Sequence, residues 1–101
     1  MSWKHCCGLI NMKIRNNTIY FKSDQLYFWR EINGIKANTV RLLTSDENEE
    51  FVSWISYNKH KYINICRSDD TRKEFTRAIT DISKIGELLG NTIYVISWRG
   101  E

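Results

Sequence analysis

Three β-prone segments near the end of the chain constrain its fold more than any other feature. The run KYINICR alternates, setting Tyr62, Asn64 and Cys66 against Ile63 and Ile65. KEFTRAITDIS alternates again through Phe75 and Ile79, after a polar, turn-like Ser68-Asp69-Asp70-Thr71. A period of two is the spacing of a strand with unlike faces, so the two runs are expected to pair as a hairpin. Residues 86–91 make another break, with a helical turn expected at 87–89. TIYVISW follows, apolar on both faces, as a central or barrel-closing strand.

Upstream, residues 10–15, INMKIR, place Ile10, Met12 and Ile14 on one strand face. Asn16-Asn17 signals a turn, and TIYFK at 18–22 is β-branched and aromatic. Ser23 and Asp24 are both good helix caps. In QLYFWREIN after them, Leu26, Trp29 and Ile32, with Phe28 beside them, recur at helical spacing and predict a core-facing stripe. Gly34 suits the position just past the helix end. TVRLL at 39–43 reads as a strand. Thr44 and Glu47 form a capping box, Asp46 to Glu50 bring acidic charge to the helix start, and Phe51, Trp54 and Ile55 give one stripe of a helix over 45–57.

The order β, β, α, β, α, β, β, β predicts one α+β domain over 12–101, with 1–11 as an N-terminal extension. Five or six short strands and two helices fit a small, partly open β-barrel, which buries both strand faces and leaves few edges. The length of 101 residues allows one domain, and neither proline nor a Gly/Ser-rich linker divides it. A net charge of +3 is compatible with an anionic ligand or a phosphate backbone, and equally with plain solubility. Three cysteines, two of them adjacent, do not make a secreted disulfide framework, so a reducing, cytoplasmic compartment is expected. His5, Cys6, Cys7, His60 and Cys66 lack C-x-x-C spacing, so neither metal nor cofactor is expected. No run approaches the ~18 apolar residues of a membrane helix, and MSWKHCCGLIN is too short and polar for a signal peptide.

The stretch GIKANTVR gathers two cations and a hydroxyl after the first helix. Its plain reading is a turn followed by an exposed strand. Within YFWREINGIKANTVR, however, Gly34, Lys36, Thr39 and Arg41 fall at the spacing of an ASCH-domain signature, and the chain resembles that branch of the PUA-like barrels. The K-x-x-T-x-R version is similar to a short amidohydrolase branch that removes acyl groups from the exocyclic amine of cytidine derivatives. The resemblance implies a pocket for a nucleotide, modified nucleoside or RNA near Lys36, Thr39 and Arg41, with Gly34 and Asn38 beside it. It also implies, as an alternative, Thr39 as nucleophile, Lys36 as base and a downstream Glu. Glu47, Glu49, Glu50, Glu74 and Glu87 are nominal candidates for that Glu, none of them in a matching motif.

The chemistry is sound in outline. A threonine hydroxyl needs a base within reach. Arg41, two residues along a strand, shares Thr39's face and is placed to hold an oxyanion or depress the pKa of Lys36. Arg67, Arg72, Lys73 and Arg77 cluster on the predicted hairpin as a candidate phosphate-contacting edge, with edge protection as the plain alternative. Of the aromatic residues, Trp29 and Trp54 are expected in the core, Trp98 at the barrel end, and Tyr27, Tyr57 and Tyr62 exposed. A third class remains open: a small protein of phage or mobile-element type that binds and inhibits a host protein.

Overall fold

Asn16 turns the chain first, with a left-handed φ of 55° that asparagine tolerates. The two-residue Asn16-Asn17 turn joins β1 (Met12–Arg15) to β2 (Thr18–Ser23) as an antiparallel hairpin. The computed structural model describes residues 12–99. Ile10 and the expected extension over 1–11 lie outside them.

Asp24 caps α1 (Gln25–Ile32) by accepting from the Tyr27 amide at 2.9 Å. Gly34 then leaves the helix at φ 75°, a conformation that costs glycine little. β3 (Asn38–Leu43) runs to Thr44, where the capping box opens α2 (Ser45–Tyr57): Thr44 accepts from the Glu47 amide, and the Glu47 carboxylate accepts from the Thr44 amide at 2.9 Å. β4 (Tyr62–Arg67), β5 (Glu74–Leu88) and β6 (Asn91–Trp98) complete the described chain.

Among the described residues, six strands form one mixed sheet in the order β1-β2-β4-β5-β6-β3. The β2–β4 pairing is parallel and the others antiparallel. β5 is long enough to serve both halves: its first residues pair with β4, the rest with β6. Two register shifts, between Ile79 and Asp81 and between Lys84 and Gly86, bend it. Bulges bend a strand and increase its twist, which curls this sheet into a partly open barrel.

The inward faces supply the core. Ile19, Phe21, Ile63, Ile65, Phe75, Ile96 and Trp98 fill the barrel, with Phe28 of α1 and Phe51 and Trp54 of α2 packed against them. Phe51 meets the Tyr94 ring edge-on at 4.7 Å, and the Trp54 indole donates to the Asn16 carbonyl at 2.9 Å, tying α2 to the first turn.

Two expectations are corrected. The break at 86–91 contains no helical turn: β5 continues through Gly86 to Leu88, and Leu89 and Gly90, both at positive φ, make a two-residue hairpin turn into β6. The core-facing stripe of α1 is also not the one expected. Leu26 and Trp29 are more than half exposed, whereas Phe28 and Glu31 are buried and Ile32 is partly so. Helical spacing permits either stripe; in the buried one Phe28 packs against Phe75 of β5 and Glu31 meets Ser23 of β2, partners from elsewhere in the chain.

Candidate functional site

Thr39, Arg41 and Leu43 alternate onto the inward face of β3, opposite Ile96, Tyr94 and Thr92 of β6. Among the described residues no strand pairs with the other edge of β3, and Arg41 spans the gap to β2. Its Nη1 donates to the Lys22 carbonyl at 2.8 Å, its Nη2 to Ser23 Oγ at 2.8 Å, and its Nε back to Thr39 Oγ1 at 2.9 Å. The Ser23 carbonyl is taken by the Ser68 amide on the β4 side. Strand carbonyls alternate, so that of Lys22 faces the opposite side, where Arg41 meets it. The guanidinium also lies 4.7 Å above the Phe21 ring.

Ser23 passes the interaction on. Its hydroxyl donates to Glu31 Oε1 at 2.8 Å, so Arg41, Ser23 and Glu31 form one chain of polar groups joining β3, β2 and α1. Glu31 is 1% exposed. Its second oxygen, Oε2, makes no hydrogen bond among the described residues; the Lys36 ammonium stands 3.9 Å away, an ion pair at long range. Lys36 also sits 4.8 Å above the Tyr27 ring. Burial raises the pKa of Glu31 above its ordinary value; the Ser23 hydrogen bond, the charges of Arg41 and Lys36, and the nearby Thr39 hydroxyl oppose the shift without cancelling it. Burial likewise lowers the pKa of Arg41, and the Glu31 charge opposes that.

These groups line a concavity of about 430 Å³ at the open seam. Lys22, Ser23, Asp24 and the start of α1 form one wall; Thr39, Val40 and Arg41 form the other; Glu31 and Lys36 lie between. The volume lies in the range of small-molecule sites. The structure therefore brings Lys36, Thr39 and Arg41 to one cavity. Gly34 and Asn38 are not in its lining: Gly34 makes the turn out of α1, and Asn38 alternates away from Thr39 on β3.

The carboxylate beside Thr39 comes from upstream. None of the nominal downstream glutamates lines the cavity: Glu47 caps α2, Glu49 and Glu50 are exposed, Glu74 accepts from Asn64, and Glu87 pairs with Lys84. One sequence signal for Glu31 was available, a lone acid three residues after Phe28 on a helical face. Nothing in the sequence marked Ser23 as the link to it.

The hairpin cations are mostly occupied locally. Arg67 makes a two-pronged contact with Asp69 and Arg72 with Asp70, while Arg77 donates to the carbonyls of Thr76 and Ile32 and lies over Phe75. Lys73 forms no ion pair among the described residues. β4 and β5 lie mid-sheet rather than at an edge. Tyr27, Tyr57 and Tyr62 are exposed, and Trp54 and Trp98 are buried. Among the described residues no helix is long and apolar enough to cross a membrane, and no three His, Cys, Asp or Glu side chains group as metal ligands would.

The chain matches no protein-family model, no curated protein and no solved structure. Fold and site together define a small α+β protein, a partly open barrel whose seam holds a buried carboxylate between two cations.

Proposed function

We propose that the seam cavity binds a nucleobase-bearing ligand: a nucleotide, a modified nucleoside or an unpaired base of RNA. The observation that carries this reading is Glu31 Oε2, a buried oxygen with no hydrogen bond among the described residues, faced by Lys36 at 3.9 Å and by the nearby Thr39 hydroxyl, beside a cavity of nucleoside size. A buried acceptor left unmatched costs about 1–3 kcal/mol, and a ligand N–H group restores that. The exocyclic amine of cytosine is a natural match, since carboxylates accept from it in nucleic-acid recognition. Lys36 and Arg41 offer donors to ring carbonyls or phosphate, and Tyr27 offers an exposed ring at the mouth. This reading assumes the reducing, cytoplasmic setting expected from the cysteine pattern of the sequence.

Titration calorimetry with cytidine 5′-monophosphate tests the proposal. Saturable binding, weakened about tenfold or more in Glu31→Gln, supports it; the same weak or absent binding in wild type and variant rejects it.

A second reading, deacylation of an N4-acylated cytidine, has its own support. Thr39 Oγ1 accepts from Arg41, which leaves the hydroxyl proton directed elsewhere, and Glu31 stands close by with a raised pKa. In this reading Thr39 attacks the acyl carbonyl, Glu31 rather than the expected base Lys36 takes its proton and passes it to the leaving amine, and water then releases the acyl group from Thr39. Loss of the acyl group from N4-acetylcytidine, abolished in Thr39→Ala, is the expected result; undiminished turnover in that variant rejects the reading.

A further inference from the structure

The face of α1 that departs from its expected packing borders a second concavity. On the flank of α1 away from Glu31, Leu26, Phe28, Trp29 and Ile32 form an apolar groove of about 510 Å³, with Arg67 and Lys73 at its rim. Trp29 is 54% exposed there, a large aromatic surface that the fold leaves uncovered among the described residues. Asp69 tempers the charge of Arg67 and Asp70 faces Lys73 without forming an ion pair, whereas Arg30 has no ion-pair partner among the described residues. At 100° per residue, Arg30 falls on the outward crest of α1 between Tyr27 on the first flank and Trp29 on the second. An aromatic plane beside a cationic rim matches one chemistry well: bases joined by phosphates.

We infer that the ligand of the seam cavity is a single strand of RNA, and that its neighbouring nucleotides cross α1 into the Trp29 groove. This rests on the proposed base pocket and goes beyond it. One base sits with Glu31, the linking phosphates pass the Arg30 crest, and the next base stacks on Trp29 with Lys73 near its phosphate. The two concavities lie on opposite flanks of a helix about 10 Å across, a span of a few nucleotides. Charge complementarity favours this occupant, because an uncharged apolar peptide would fill the groove and leave its cations unused. The strand must be unpaired, since a base held in a duplex cannot reach either site.

The test compares a fluorescein-labelled RNA octanucleotide, followed by anisotropy, with cytidine 5′-monophosphate as competitor. The octamer is expected to bind about tenfold tighter or more than the monomer. Trp29→Ala should weaken the octamer about tenfold and leave the monomer unchanged, whereas Trp29→Phe should retain most of the affinity. Lys73→Ala should reduce the dependence of log affinity on log salt by about 0.7. An octamer held no tighter than the monomer, or undiminished by Trp29→Ala, overturns the inference; so does an acidic, Phe-containing peptide that binds the groove when the octamer does not. If Glu31→Gln is silent and the monomer does not bind, but Trp29→Ala still weakens the octamer, the base pocket falls and the groove stands as an RNA site alone.

Discussion

Glu31 shows how much one buried side chain can decide. Burial raises its pKa, so the folded chain holds that proton more tightly than the unfolded chain does. The stability Glu31 contributes is therefore fully present below the ordinary value of 4.5 and is lost as pH rises through the higher folded value. Glu31→Gln keeps the acceptor for Ser23 and removes the charge. It should flatten that decline, leaving the variant at least as stable as wild type at neutral pH; urea midpoints across the acidic to neutral range measure this. Arg41 behaves oppositely. Arg41→Met removes three hydrogen bonds and leaves the Lys22 carbonyl without its donor, with an expected loss of about 1–3 kcal/mol. Arg41→Lys should recover only part, because one ammonium cannot reproduce the fork that meets Lys22, Ser23 and Thr39. A Lys variant as stable as wild type in denaturant titration would show that charge alone suffices.

At the scale of elements, local rules predict where small changes tell. Leu89 is 93% exposed and held at φ 53°, a conformation that a branched side chain resists. Leu89→Asn creates the Asn-Gly pair that such hairpin turns prefer and relieves the left-handed strain, so it should raise stability by about 1 kcal/mol in thermal unfolding. Thr44→Ala removes half of the capping box of α2 and should cost about 1 kcal/mol. The same local rules made much of the fold legible. The Asn16-Asn17 turn, the Thr44 cap and the alternation of β4 all act within a few residues. α1 escaped them. Leu26 and Trp29 make a convincing apolar stripe, yet Phe28 and Glu31 face inward, where Phe28 packs on Phe75 of β5 and Glu31 meets Ser23 of β2, contacts that helical spacing cannot reveal. Gly86 misled for a related reason: the bulges of β5 absorb it, and the turn falls at Leu89-Gly90.

At the scale of the molecule, the two ends of the barrel are held differently. α2 closes one side by packing: Phe51, wholly buried, lies between Trp54 and Tyr94. Phe51→Ala should cost about 3–5 kcal/mol, read from the urea midpoint, with little effect on ligand affinity once folded. On the other side the seam between β2 and β3 is bridged by the Arg41 side chain. The spacing of Lys36, Thr39 and Arg41 was readable from the chain, because Thr39 and Arg41 share a strand face. Their meeting with Ser23 and Glu31 depended on how the sheet curls, which no short stretch encodes.

That shared duty limits how this protein can diversify. A substitution at position 41 that altered what the cavity accepts would also loosen the wall of the barrel, so specificity and foldability cannot vary independently there. Lys36 and Tyr27 bridge no strands, and the contact of Lys36 with Glu31, at 3.9 Å, is the looser tie. Descendants of this chain that acquire new ligands should therefore differ at those two positions while the arginine stays in place.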